Sequence, residues 1–433
     1  MKRKFFISLA LLVFTLINVF GQKIPDSSSS GFGILTDSTY SGYKGKNELG
    51  GPTSIEAQLV FENQVKESYF RIPIRVFKPW FETKEKIVNK TDLEFGINYT
   101  IAYLGASTGI TDSSQTSSGG GILDIPISWS PIGKESGNTG TFSIKFETRH
   151  TIGTGVPPML LGFETGSILL PATKVNSFSF RISEFYYQQT LFKEHLKFAI
   201  GKLDPTNYFN FYGMINPFTN FFGYGFSSSP TANWPNQGIG AVVSILPTTK
   251  KDIYVMGGVF DVLGDPFNEG DFLNVGNQFF EGNLFKSIEV GYIKSYAERY
   301  FKRISLTYWN SDSTNGIDTG QGVSFSSHWY FKEKYIPFFR AGFSNGKGTN
   351  TLAEKYVAFG NGFRFKSHDI LNIGFNWAKP TGVRDQYSFE IYYRFNLTEH
   401  LAITPDLQWV INPSLNESAN NLIYWGIRGR FTL

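Results

Sequence analysis

After Leu93, apolar and polar residues alternate one for one through most of the chain, the period at which successive side chains point to opposite faces of a strand. The pattern is plainest in the last fifty residues. Tyr387, Phe389, Ile391, Tyr393 and Phe395 share one parity; Gln386, Ser388, Glu390, Tyr392, Arg394 and Asn396 share the other. A two-residue turn at Thr398 and Glu399 leads into Leu401, Ile403, Leu407, Trp409 and Ile411, set against Thr404, Asp406, Gln408 and Asn412. The chain ends with Trp425, Ile427, Phe431 and Leu433 opposite in parity to Arg428, Arg430 and Thr432. Similar runs fall at 93–101, 125–129, 142–146, 178–182, 196–200, 238–245, 253–262, 284–292, 303–309, 323–331, 337–343, 356–365 and 370–377. Together they predict about sixteen strands, an even number.

The connections between these runs are alternately short and long. Those at 188–194, 248–251, 297–300, 332–334, 367–368 and 398–399 are short; those at 106–121, 150–175, 203–237, 263–283, 311–321 and 413–421 are mostly long and polar or glycine-rich. Outer-membrane barrels have this asymmetry, with tight periplasmic turns and extended extracellular loops. A soluble sandwich, which would bury one face against a second sheet, has no reason to keep it. Hydrocarbon satisfies no backbone amide or carbonyl, so a sheet crossing a bilayer must close on itself. The expected fold is all-β: a closed antiparallel transmembrane β-barrel of about sixteen strands, with the run ending at Leu433 pairing back to the run starting at Leu93. The apolar parity then faces lipid, with Tyr99, Trp129, Tyr292, Trp377 and Trp409 as interfacial anchors. The charged parity faces a water-filled lumen.

The N-terminus reads differently. Lys2, Arg3 and Lys4 precede an apolar stretch, 5–19, which together predict a signal peptide over 1–21. Residues 22–92 form a leader, rich in serine and glycine at first. Around Phe77-Lys78-Pro79-Trp80 the pattern suggests a short helix opening near Pro79 that serves as a plug or periplasmic lid, or as a surface linker. The barrel proper is 93–433. Removing the three N-terminal cations from 40 basic residues leaves 37 against 36 acidic ones, which argues against a nucleic-acid partner. There is no cysteine, so disulfides and thiolate chemistry are excluded. The 43 Phe, 22 Tyr and 45 Gly fit an all-β chain with many turns.

Function is therefore sought on the lumen parity, which includes Lys145, Glu147, Arg149, Arg181, Arg303, Arg340, Glu390, Arg394, Asp406, Arg428 and Arg430. Any water-filled barrel needs polar wall residues. Opposed guanidinium and carboxylate groups at a constriction can also hydrogen-bond vicinal hydroxyls, and their mixed signs suit a neutral, hydroxyl-rich solute better than a phosphate. The connection at 203–237 is the one most able to fold inward. It interleaves Tyr208, Phe209, Phe211, Tyr212, Phe218, Phe221, Phe222, Tyr224, Phe226 and Trp234 with Asn207, Asn210, Asn216 and Asn220. Aromatic faces stack on sugar rings; equally, they can pack the loop against the wall as a rigid plug.

Two stretches resemble the carbohydrate-selective porin family of the OprB type. One is Arg181-Ile-Ser-Glu-Phe-Tyr-Tyr-Gln-Gln followed by Phe198-Ala-Ile-Gly-Lys-Leu-Asp-Pro and the aromatic loop. The other is Phe389-Glu-Ile-Tyr-Tyr-Arg-Phe-Asn-Leu-Thr-Glu followed by Ile403-Thr-Pro-Asp-Leu-Gln-Trp-Val-Ile-Asn-Pro. The resemblance covers about 93–433. It implies a sixteen-stranded outer-membrane barrel passing small sugars by diffusion, with matching positions at Arg181, Glu184, Gly201, Lys202, Asp204, Glu390, Arg394, Asp406, Gln408 and Asn412. The candidate channel-lining residues are thus Arg181, Glu184, Lys202, Asp204, Trp234, Arg340, Glu390, Arg394 and Asp406.

No catalytic motif stands against this reading. The five histidines fall mostly in predicted turns, and neither a paired metal-ligand spacing nor a Gly-x-Ser-x-Gly elbow is present. No cofactor or metal is expected. The expected partners are small carbohydrates and outer-membrane lipid, and a homo-oligomer is compatible with the sequence. A general diffusion porin, and a barrel-bearing adhesin or enzyme, are the competing readings.

Overall fold

The computed structural model describes residues 49–62, 68–70, 77–133, 138–265, 271–296, 298–332, 334–365 and 369–433. The expected signal peptide and the first part of the leader lie outside them. Helices α1 (Ile55–Glu62) and α2 (Lys78–Thr91) precede seventeen strands. These are β1 (Leu93–Phe95), β2 (Asn98–Ala106), β3 (Ser117–Ile132), β4 (Gly140–Thr151), β5 (Phe178–Leu191) and β6 (Leu196–Leu203). They continue with β7 (Gly238–Ile245), β8 (Ile253–Asp261), β9 (Leu284–Ile293), β10 (Lys302–Ser311), β11 (Gly320–Trp329) and β12 (Tyr335–Ser344). The last five are β13 (Lys355–Arg364), β14 (Ile370–Lys379), β15 (Gln386–Asn396), β16 (Leu401–Ile411) and β17 (Asn421–Thr432). Short helices α3 (Leu161–Thr165) and α4 (Tyr224–Ser227) lie in the two longest connections.

Strands β1 and β2 are two pieces of one stave. Leu93 faces Trp129 and Asn98 faces Asp124 on β3, in a single continuous register. Each strand pairs antiparallel with the next, and β17 pairs with β2 from Thr432 opposite Asn98 to Tyr424 opposite Ala106. Leu433 and Ile97 exchange both backbone hydrogen bonds, at 2.9 and 3.0 Å. The result is a sheet closed on itself into a sixteen-stave barrel, as a bilayer demands. Short turns sit at the end that holds both β1 and Leu433. Phe192, Lys193 and Glu194 take positive φ in one of them, and Lys251 and Lys332 in two others.

Strand β3 starts earlier than the sequence suggested. The run Gly119-Gly120-Gly121 reads as loop, but the glycines lie in the strand because there is no room for a side chain. A Cβ at Gly119 would stand 2.4 Å from the Ile152 carbonyl oxygen, and one at Gly121 would meet the Tyr99 hydroxyl at 2.4 Å.

The parity assignment holds around the wall. On β17, Trp425 and Ile427 are 48% and 51% exposed, whereas Arg428 and Arg430 are 2% and 4% exposed. The barrel is inside-out relative to a soluble protein: apolar side chains lie outside and charged ones inside. Indole donors at its margins find polar partners, Trp129 on the Thr91 carbonyl at 3.1 Å and Trp409 on the Asn421 amide oxygen at 3.0 Å.

The interior corrects the picture of a charged wall facing open water. Two segments fill much of the lumen. The connection 204–237 folds inward, with Phe209, Phe211, Tyr212, Phe221, Phe222 and Phe226 buried. Helix α1, all but its last two residues fully buried, lies against β3 and β4. The predicted helix near Pro79 forms as α2, but it does not plug the barrel. It lies at the short-turn rim, where Trp80 meets Phe95 edge-on, Phe77 contacts Phe431, and Phe81 stacks on His400 at 4.5 Å. Phe95 and Phe431 belong to the outward parity, so α2 borders the outer surface.

Candidate functional site

The inward loop is gripped mainly by β12–β17, and the grip is on its backbone. Alternation aims every second residue of these strands into the barrel, and most of those inward residues are polar. Arg340 donates from Nη1 to the carbonyls of Phe226 (2.9 Å) and Ser228 (2.5 Å), and from Nη2 to the side-chain oxygen of Asn210 (2.8 Å). Its guanidinium also lies 4.8 Å from the Tyr212 ring. Arg428 donates to the carbonyls of Pro217 (2.5 Å) and Asn220 (2.7 Å), and Arg394 to that of Thr219 (2.9 Å). Glu390 does the opposite, accepting from the amides of Phe222 (2.6 Å) and Gly223 (3.0 Å). Tyr356 donates to the Gly225 carbonyl, and Tyr392 to the Asn220 side chain. Each sign of charge thus meets the backbone group it can bond, and charge-assisted bonds of this kind are the strong ones.

On the neighbouring strand, where Gln408 faces Glu390, Asp406 accepts from Gln408 Nε2 at 2.9 Å. Gln408 also donates to the Pro171 carbonyl, which ties the 152–177 connection to the same wall. A narrow crevice opens here, bordered by Gly223 and Phe226 of the loop, Leu169 of the neighbouring connection, and Asn376, Ser388, Glu390 and Gln408 of the wall.

Four candidates sit elsewhere, on the side of β5 and β6. Arg181 donates to both carboxylate oxygens of Asp265 at 3.1 Å, and Lys202 reaches the same carboxylate at 2.8 Å. Asp265 belongs to the β8–β9 connection. Strand β6 pairs with β5 only as far as Lys202 opposite Phe185, so this ion cluster fastens the connection over the part of β5 that β6 leaves unpaired. Glu184 pairs with Lys145 and accepts from Asn207 at 2.8 Å, holding the start of the inward loop. Asp204 caps the turn 205–207 and binds Thr206, Lys174 and Gln237. Burial works against its carboxylate, but the Lys174 ammonium at 3.0 Å and the Thr206 bonds outweigh it and hold the pKa below the usual carboxylate range. Trp234 is buried against Phe285 near the far end of the loop.

The nine candidates therefore divide. Arg340, Glu390, Arg394 and Asp406 come together along one wall; Arg181, Glu184, Lys202 and Asp204 fasten loops on the opposite side; Trp234 anchors the loop's end. Sequence reasoning missed Asp265, which in Gly264-Asp265-Pro266 reads as ordinary turn chemistry, and missed α1 with Glu56 and Glu62. Eight residues carry no sustained helical period. Among the described residues no cluster suited to a metal ion is present.

A closed sixteen-stave barrel with a lipid-facing apolar parity, a charged inner wall and an inward-folded loop is an outer-membrane porin. The sequence model of the carbohydrate-selective porin, OprB family, matches residues 140–326 and 300–433, and the chain belongs to that family. It is accordingly a sugar-preferring channel. The high-pH structure of Pseudomonas putida OprB resembles it with a TM-score of 0.64 at 14% identity, covering 82% of this chain and 97% of that one. The low-pH structure of the same protein gives 0.51 at 13% identity over the same shares. No curated protein matches the sequence.

Proposed function

We propose that the chain passes small, uncharged carbohydrates by passive diffusion through the barrel, past the face where the inward loop meets the β14–β16 wall. The observation that supports this reading is the composition of that face. Carboxylate, amide and hydroxyl groups from Glu390, Asn376, Gln408 and Ser388 line one side, and Phe226 with glycine backbone lines the other. Such a surface offers hydrogen bonds to hydroxyls and an apolar face to ring C–H groups. Glu390, Arg394, Asp406 and Arg340 act by setting the loop's distance from the wall; Arg181, Glu184, Lys202 and Asp204 keep the loops in register; Trp234 holds the loop's end.

In this reading the chain is exported by its N-terminal signal, resides in the outer membrane of a Gram-negative-type bacterium, and performs no catalysis. In planar bilayers, ion conductance should fall in a saturable way as a permeant sugar is added, and sugars of different stereochemistry should differ. Conductance indifferent to every sugar would favour a general diffusion pore. Hydrolase activity without conductance would overturn the transport reading.

A further inference from the structure

The two ends of the barrel differ in charge. Among the described residues at the short-turn end, Lys86, Lys90, Lys193, Lys250, Lys332 and Lys334 are exposed, against the exposed carboxylates Glu82 and Glu85. The neighbouring Glu194 is already engaged by Lys251 at 2.8 Å, and Glu298 by Lys302 at 2.5 Å. At the long-connection end, Asp112, Asp271, Glu281, Asp318 and Glu417 are exposed, against Lys347, Lys355 and Lys379. Barrel closure requires neither balance.

The basic end also exposes aromatics beside its lysines. The dipeptide Phe-Lys stands at 192–193, 331–332 and 365–366, at three of the short turns. Phe192, Phe331 and Phe365 are 69%, 50% and 58% exposed. Phe331 and Phe365 extend the outward parity of β11 and β13, and the Phe365 ring lies 6.0 Å from that of Tyr393, which is outward on β15.

Helix α2 completes the rim. It packs on the outward residues Phe95 and Phe431, and the outward Trp129 donates to the Thr91 carbonyl at its C-terminus at 3.1 Å. Lys84 fixes the helix to the Leu433 carbonyl at 3.2 Å, and Lys86 and Lys90 lie on its exposed side. The rim is therefore continuous with the surface that meets acyl chains, at the depth where headgroups begin.

We propose that this rim binds the anionic phospholipids of the leaflet it faces, with the lysines on headgroup phosphates and the phenylalanines among the upper acyl carbons. Lysine suits this position, since its alkyl stem lies along apolar surface while its ammonium reaches the phosphate. A zwitterionic headgroup offers the same phosphate but adds a cation that lysine repels. Anionic headgroups hold a negative potential that draws a cluster of cations to one face. Lipid contact is common to every membrane barrel; a headgroup preference confined to one end is what the charge asymmetry adds.

The full chain is folded in detergent and offered equimolar phosphatidylglycerol and phosphatidylcholine with identical acyl chains, and bound lipids are counted by native mass spectrometry. The parent should retain the anionic lipid several-fold over the zwitterionic one. The variant carrying Lys193→Gln, Lys332→Gln and Lys334→Gln should bring that ratio near unity. Removing three lysines at the other end, with Lys347→Gln, Lys355→Gln and Lys379→Gln, should leave it at the parent value. Heat-dependent electrophoretic mobility verifies that each variant is a folded barrel. No preference in the parent, or equal loss in both variants, would overturn the proposal. The chain has no cysteine, so a fluorophore on Asn89→Cys reports on α2 alone. In vesicles containing both lipids, brominating the acyl chains of the phosphatidylglycerol should quench it more than brominating those of the phosphatidylcholine; equal quenching would remove α2 from the binding surface.

Discussion

The two segments inside the barrel are held by contrasting chemistry. Along β12–β17, the wall bonds to the backbone of the inward loop: Arg340, Arg394 and Arg428 serve its carbonyls and Glu390 its amides. Along β2–β5, the wall meets α1 through side chains, with Glu56 and Glu62 as the main polar links, while Ile55, Ala57 and Leu59 pack among the loop's aromatics. A loop has many backbone groups that no secondary structure satisfies, so charged wall residues complete it and fix it. Helix α1 satisfies part of its backbone internally and meets the wall through side chains. The loop is fixed through its backbone, the helix through its side chains.

That contrast can be broken. Arg340→Ala would leave the Ser228 carbonyl without this donor, at about 1–3 kcal/mol, while the Phe226 carbonyl would keep the Tyr212 hydroxyl. The expected outcome is a lower unfolding midpoint and a larger size limit in liposome swelling, with the barrel still inserted. The strand carrying Glu390 offers a control in register. Ile391→Arg puts a cation on the lipid face and should lower barrel stability by about 2–4 kcal/mol at the midplane, measured by denaturant titration in bilayers. Glu390→Ala should leave insertion nearly intact and alter sugar flux. The reverse pattern would mean the parity is wrong.

Smaller effects test the margins. Asp204 has a depressed pKa, so its contribution to seating the loop is present above the ordinary aspartate value near about pH 4 and is lost as pH falls through its lower folded value. Sugar flux should hold steady from neutral pH to about 4 and become less selective below, and Asp204→Asn should abolish that transition. On α2, burial lowers the Lys84 pKa to about 8, against the opposing pull of Glu62 and Glu94. The folded state then prefers the neutral amine, so docking of the rim helix should strengthen as pH rises from about 8 toward the ordinary lysine value. Protection of the α2 amides from hydrogen exchange, corrected for the intrinsic rate at each pH, reads this out; Lys84→Met should remove the dependence.

Much of the fold was legible because a two-residue period survives any tertiary context in which one face meets lipid. The strands from Tyr387 to Thr432, the short and long connections and the pairing of the Leu433 end with the Leu93 end follow from that period alone. Gly119 to Gly121 were misread because glycine signals turn and close packing alike, and only the neighbours, Ile152 and Tyr99, decide which. The site was half legible. Parity placed Arg340, Glu390, Arg394 and Asp406 inside, but it could not say that their partners would be loop carbonyls and amides, since backbone groups carry no sequence signal. The resemblance of Arg181, Lys202 and Asp204 to the family's pattern pointed to importance, and the structure shows their contacts: Asp265 for the first two, and Thr206, Lys174 and Gln237 for the third.

The inward loop, fixed to the β12–β17 wall, is expected to set which solutes pass. Liposome-swelling rates for a panel of sugars graded by size and stereochemistry, compared between the parent chain and Glu390→Ala, test it most directly. The parent should discriminate among sugars of equal size, and the variant should lose that discrimination while remaining permeable. Identical profiles in the two proteins would mean that the loop does not set selectivity.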